Sequence, residues 1–226
     1  MLSLHDIPAL EAMQLLPATS LEQLSKTSAK FTLPENRFHR HEAKTRDKIR
    51  RRGIKKLINP ENARPIISLL PVHPDDRLHC MLRGDFVLCD LIPLIIAHRG
   101  ACPHLRVATL GLSAANAEQL ANLHAGGLIA RITLVASHYF QQVDKTTTFQ
   151  QVQSILSKCA TLVICRSHAK VILLPTASGD FYVLEGSANL RSSDNLEQMA
   201  VTNDQETHDF HGGWIDALAD EYAIGA

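Results

Sequence analysis

Residues 166–199 read RSHAKVILLPTASGDFYVLEGSANLRSSDNLEQM. Two apolar runs rich in β-branched and aromatic residues flank Pro175-Thr-Ala-Ser-Gly-Asp180, a cluster of turn formers, and the pattern predicts a β-hairpin. Side chains alternate faces along a strand, so His168 and Lys170 share one face, as do Ser187 and Asn189 on the returning run. A turn centred on Ser178-Gly179 sets His168 opposite Asn189 and Lys170 opposite Ser187; a one-residue slip separates the two pairs. In the first register an imidazole, an ammonium, a hydroxyl and an amide meet on one patch. Imidazole is a nucleophile and proton carrier near neutral pH, and the other three offer hydrogen-bond donors suited to an oxyanion such as phosphate. No Asp/Glu pair or Cys/His cluster adjoins them, so the motif calls for no metal and no other cofactor.

His168-x-Lys170, followed by Gly186-Ser187-x-Asn189 and then Glu197, resembles the signature of the phospholipase D superfamily, closest to its phage and bacterial members with a single His-x-Lys motif. The family pattern also places an Asp between the two halves. Counted forward from Lys170 that position is Pro175; counted back from Gly186 the nearest acid is Asp180, one residue out of register. The resemblance runs from about Gly84 to the end. It implies a metal-independent phosphodiesterase in which His168 attacks phosphorus to form a phosphohistidine. Lys170, Ser187 and Asn189 hold the nonbridging oxygens, and Glu197 hydrogen-bonds a ring nitrogen of His168. A leaving oxygen also needs a proton, which one histidine cannot supply while it attacks. Among the other histidines none has Lys two residues on, so the expected solution is a homodimer in which each chain gives one His168. His208 and His211 are the candidate local substitutes.

The 226 residues carry 23 Lys and Arg against 23 Asp and Glu, a net charge of zero that hides a strong asymmetry. Residues 37–56 hold ten Lys and Arg against only Glu42 and Asp47, a net +8 balanced by −8 elsewhere. Arg37, Arg40, Lys44, Lys48, Arg51 and Lys55 fall at helical spacing, a positive stripe with little to bury that fits a nucleic-acid backbone. The apolar fraction of 45% suits a globular core. The longest apolar runs are far too short to span a bilayer, and the N-terminus shows no secretory pattern. Five cysteines without a Cys-x-x-Cys read as reduced thiols of a cytoplasmic protein, and Cys102-Pro-His104 is a faint metal-ligand pattern.

Along the chain, residues 1–33 read as short helices, 34–75 as the basic segment and its connection, and 76–226 as the main domain. There strands are expected at Phe86–Leu88, 105–112, 128–137 and 197–202. Helices are expected at 90–98, 114–124 (after the N-cap Ser113), 148–159 and 213–222. Alternation of this kind argues an α/β fold, which the resemblance specifies as a phospholipase D-like mixed β-sheet sandwiched by helices, with a helical, basic N-terminal extension. The function expected is a homodimeric nuclease acting on DNA rather than RNA, with no membrane partner and room for a separate specificity subunit. The alternatives are a non-catalytic DNA-binding scaffold that kept the fold, and a lipid phosphodiesterase.

Overall fold

The computed structural model describes residues 53–58, 62–82, 87–143, 147–191 and 195–224. The chain divides after Ile49, and all described residues belong to the unit Arg50–Ala226. The helices expected within 1–33, and Arg37, Arg40, Lys44, Lys48 and Arg51, lie outside the described residues.

Nine strands form one mixed sheet in the order β1-β2-β8-β7-β6-β3-β4-β5-β9. Within it β3 (Leu105–Thr109), β4 (Ile132–Ser137) and β5 (Thr161–Cys165) are adjacent and run parallel. The first crossover contains α3 (Ala114–Ala125), and the second contains α4 (His138–Val143) and α5 (Thr148–Leu156). Ser113 caps α3 as its sequence predicts: its hydroxyl accepts from Asn116 N–H at 3.1 Å, and Asn116 Oδ1 accepts from Ser113 N–H at 3.2 Å. The predicted hairpin forms as β6 (Val171–Pro175) and β7 (Phe181–Gly186), with β6 antiparallel to β3. β8 (Glu197–Asn203), β2 (Arg77–Leu82) and β1 (Lys55–Ile58) extend the sheet from β7, and β9 (Ala223–Ile224) closes the other edge.

Strand parity sorts the core into two layers. Val107, Leu134, Ala136, Leu162, Ile172, Leu174, Tyr182 and Leu184 face one way and pack with α2 (Leu91–Arg99), α3 and α5 through Ile92, Leu120 and Val152. Their sequence neighbours Ala108, Val135, Val163, Val171, Leu173 and Val183 face the other way, under Ile215, Trp214 and Leu218 of α6 (Gln205–Tyr222). Helices thus cover both faces, which is why β4 and β6 are buried along their whole length. A fully buried aliphatic such as Leu134 or Ile215 contributes about 1.5–3 kcal/mol. Arg106 on β3 holds α6 in place, its Nε and Nη2 donating to Asp216 Oδ1 and Oδ2 at 2.8 and 2.9 Å.

Several sequence expectations are corrected. Val87 is extended and Leu88–Asp90 is a 3-10 turn, not a strand; the strand is β2, upstream. The last helix starts at Gln205, eight residues before the expected position, capped by Asp204 Oδ1, which accepts from Glu206 N–H at 3.1 Å. Lys55 is not on a helix: it begins β1, a sheet-edge strand, aligned with Arg77 of β2. Ile54 N–H donates to Asp76 Oδ1 at 2.8 Å, so the sheet recruits chain from the region read as basic segment.

The hairpin register also differs by one residue. Val171 pairs with Glu185 and Pro175 with Phe181. The turn is three residues long: Thr176 N–H donates to Asp180 O at 2.9 Å and Gly179 N–H to Thr176 O at 3.0 Å. Gly179 takes φ +84°, the left-handed conformation this loop needs and a side chain resists. Extended outward, that register sets Lys170 opposite Gly186 and not Ser187.

Candidate active site

The strands end before the slipped register can separate the polar groups. β6 begins at Val171 and β7 ends at Gly186, so His168, Lys170, Ser187 and Asn189 all lie beyond regular pairing. Topology gathers them instead. β3, β4 and β5 are parallel, so Leu110, His138 and Arg166 leave the sheet at one edge; β6 starts, β7 ends and β8 starts at that same edge. Clefts outside the carboxyl ends of parallel strands are the usual ligand sites of α/β sheets.

His168 is exposed there. Lys170 Nζ donates to His168 Nδ1 and to the His168 carbonyl, both at 3.0 Å. Burial pushes the Lys170 ammonium below its ordinary pKa of 10.5, and the Glu197 carboxylate pulls it back up in part. Ser187 Oγ donates to Glu197 Oε2 in a short hydrogen bond, and accepts from Gln198 N–H at 3.0 Å. Gly186 N–H bonds Lys170 O at 3.3 Å, joining the two chain segments. His168, Lys170, Glu197 and Ser187 are therefore linked by successive interactions. The hydrogen bond expected between Glu197 and His168 is not among those of the described residues; Glu197 holds Ser187, and Lys170 holds His168.

Asn189 stands at the end of β3. Its Oδ1 accepts from Leu110 N–H at 3.0 Å, with Thr109 Oγ1 at 3.4 Å. With the oxygen so engaged, the NH2 end of the amide is the one left for an anion. The glycine of Gly186-Ser187-x-Asn189 has its own reason: a Cβ at Gly186 would overlap the Gln198 carbonyl of β8.

Other candidates do not join the cluster. Asp180 sits in the turn, a β6 length of roughly 17 Å from Lys170 at about 3.3 Å per residue. There it accepts from Asn203 Nδ2 at 2.8 Å and Thr176 Oγ1 at 3.2 Å, with Arg99 Nε at 3.9 Å. It therefore cannot fill the site role of the displaced acid. Lys55 aligns with Arg77 while Glu197 aligns with Leu82, so Lys55 lies toward the opposite edge of the sheet. On α6, His208 Nδ1 donates to Asp209 Oδ1 at 3.0 Å. His211 donates to Glu185 Oε1 at 3.0 Å and accepts from Trp214 Nε1 at 3.0 Å. His208 is thus engaged within that helix, and His211 bridges it to β7. His104 Nε2 meets Thr133 Oγ1 at 2.9 Å and Nδ1 receives Arg131 Nη2 at 3.0 Å. Burial, with Arg106 and Arg131 nearby, pushes its pKa down to about 4. Burial pushes the Cys102 thiol up to about 12. Among the described residues no group of three His, Cys, Asp or Glu is placed to hold a metal, and no helix is long and apolar enough to cross a membrane.

Sequence reasoning missed a cavity of about 420 Å³ beside His168, walled by His138, Tyr139, Gln142 and Arg166. Its walls come from two segments almost thirty residues apart, so no local pattern announces it. Burial leaves His138 Nδ1 without a hydrogen-bond partner.

No family model matches the chain, and no curated protein matches it in sequence. Among solved structures the chain is similar to Nuc from Salmonella typhimurium, a phospholipase D family member, at 14% identity and TM-score 0.46, over 57% of this chain and 86% of that one. It is similar to NucT from Helicobacter pylori at 15% identity and TM-score 0.44, over 57% and 85%. It is also similar to TrmBL2, an archaeal chromatin protein, at 12% identity and TM-score 0.44, over 71% and 58%.

Proposed function

We propose that this chain is a phosphodiesterase that cleaves nucleic acid, DNA foremost, with His168 as the nucleophile. The observation that supports it is the linked set His168, Lys170, Glu197 and Ser187 at one sheet edge, beside Asn189. A phosphodiester repels nucleophiles by its charge, and a cationic cradle of fixed donors offsets that repulsion as the transition state forms. Lys170, Ser187 and the Asn189 amide provide those donors.

In the free chain Lys170 donates to His168 Nδ1, which puts the ring proton on Nε2. A bound phosphate draws the ammonium away, Nδ1 takes the proton with Glu197 as its acceptor, and Nε2 is left with a lone pair. That pair attacks phosphorus, the bond to the leaving oxygen breaks, and its electrons go to the oxygen. Water then attacks phosphorus, its proton passing to the histidine that protonated the leaving oxygen, and the P–N bond returns its electrons to His168. The leaving oxygen is protonated by the partner's His168 in a twofold dimer.

The test is incubation of plasmid, single-stranded DNA, RNA and phosphatidylcholine in EDTA, with trapping of a labelled phosphoryl adduct. Chelator-resistant cutting and an adduct on His168, both lost in His168→Ala, are expected. DNA retention without cutting would overturn the enzyme in favour of a scaffold, and choline release alone would make it a lipid phosphodiesterase.

A further inference from the structure

The cavity beside His168 has features that phosphate chemistry does not use. Tyr139, on the first turn of α4, is a large ring left 57% exposed at its wall. Arg166 and Gln142 stand exposed around it, and among the described residues no carboxylate lines it. His138 lines the same space, with its Nδ1 buried. An exposed aromatic face, an arginine, an amide and an imidazole together match one ligand: a heteroaromatic base with acceptor atoms on its edge, attached to a phosphate. A choline headgroup fits poorly, because its ammonium would meet the like charge of Arg166, with no carboxylate among the described lining residues.

We infer that this cavity is the subsite for the nucleobase next to the scissile phosphate, with Tyr139 as its stacking platform. The inference rests on the phosphodiesterase reading of His168. It names the substrate as single-stranded nucleic acid, because a base inside a duplex is already stacked on both faces and cannot lie against a side chain. Gln142 and His138 meet the base edge, and Arg166 meets the flanking phosphate.

Binding to the His168→Ala chain, read by fluorescence anisotropy, tests it without requiring turnover. The probes are a labelled oligothymidylate and an abasic phosphodiester strand of equal length and charge, with oligouridylate as the RNA arm and a duplex as the paired arm. The base-bearing strand is expected to bind about 5- to 100-fold more tightly than the abasic one, the range of one base stacked on an aromatic ring. Tyr139→Ala should remove most of that ratio while abasic binding stays within about two-fold, Tyr139→Phe should keep it, and Gln142→Ala should reduce it. Both Tyr139 and Gln142 are exposed, so truncation leaves the core intact. An unchanged ratio in Tyr139→Ala, duplex binding equal to single-strand binding, or Tyr139-dependent competition by phosphatidylcholine vesicles would overturn the subsite. Equal binding of the base-bearing and abasic strands by the His168→Ala chain, beside His168-dependent hydrolysis by the native chain, sinks the subsite alone. An intact ratio without hydrolysis by the native chain sinks the phosphodiesterase reading alone.

Discussion

The β6–β7 hairpin has two polar ends built for opposite purposes. At the turn, Asp180 takes hydrogen bonds from Asn203 and Thr176, Asn203 Oδ1 accepts from Phe181 N–H at 2.7 Å, and the carboxylate side chain is only 12% exposed. At the open end His168 and Ser187 are exposed, and Lys170 and Glu197 half-buried, with donors that can turn toward a ligand. Polar groups that satisfy one another stabilise the fold, whereas polar groups that still face water have hydrogen bonds to offer a substrate. Residue type does not separate the two ends; partner count and exposure do.

The sharpest way to break this contrast is His168→Ala. Removal of the nucleophile should lower hydrolysis by at least about 10⁴-fold, as for other enzymes stripped of theirs. The side chain is exposed, so stability should shift by less than about 0.5 kcal/mol. Steady-state kinetics beside a denaturant melt decide it, and a large loss of stability with activity kept would invert the two ends.

Gly186→Ala strikes where the open end meets the sheet. The new Cβ runs into the Gln198 carbonyl and must push β8 from β7, at a cost of about 1–3 kcal/mol. Because Ser187 and Glu197 sit on the two strands being separated, activity should fall with stability. Asp180→Ala should cost a similar or smaller amount, about 1–3 kcal/mol for donors left buried, with kcat/KM within about three-fold of native. A catalytic defect at Asp180 with the melt unchanged would restore it as a site residue.

The hairpin was legible because its two β-branched runs and turn cluster are local signals. Its register was not: Gly179 in the left-handed region adds a residue that spacing alone assigns to either strand. The meeting of His168, Lys170, Ser187 and Asn189 at one end of the sheet has a different cause from strand pairing. Pairing parity does not gather them; the shared edge of β3, β4, β5 and the hairpin does, and that is topology. β5 (Thr161–Cys165) was unseen because five residues beside the hairpin carry no turn signal of their own. The early start of α6 was unseen because His208, His211 and Gly212-Gly213 are poor helix formers, held by the Asp204 cap and by Ile215 in the core. Tyr139 and Arg166 form one wall only in space.

The smallest effect probes how the two ends differ in charge state. Burial lowers the Lys170 pKa and Glu197 opposes that shift. In the proposed reaction Lys170 holds phosphate only while protonated, so activity should fall on the alkaline side as the ammonium loses its proton. In Glu197→Gln the opposing charge is gone, burial acts alone, and the Lys170 pKa drops further. The alkaline limb of kcat/KM should therefore move to lower pH, while Lys170→Arg, whose guanidinium stays charged, should lose the limb altogether. Measured pH profiles of the three chains separate this from a loss of Ser187 positioning, which would lower the plateau without moving the limb. A limb that stays put in Glu197→Gln would mean that Glu197 serves Ser187 alone, and the open end would then be held together by hydrogen bonds just as the turn is.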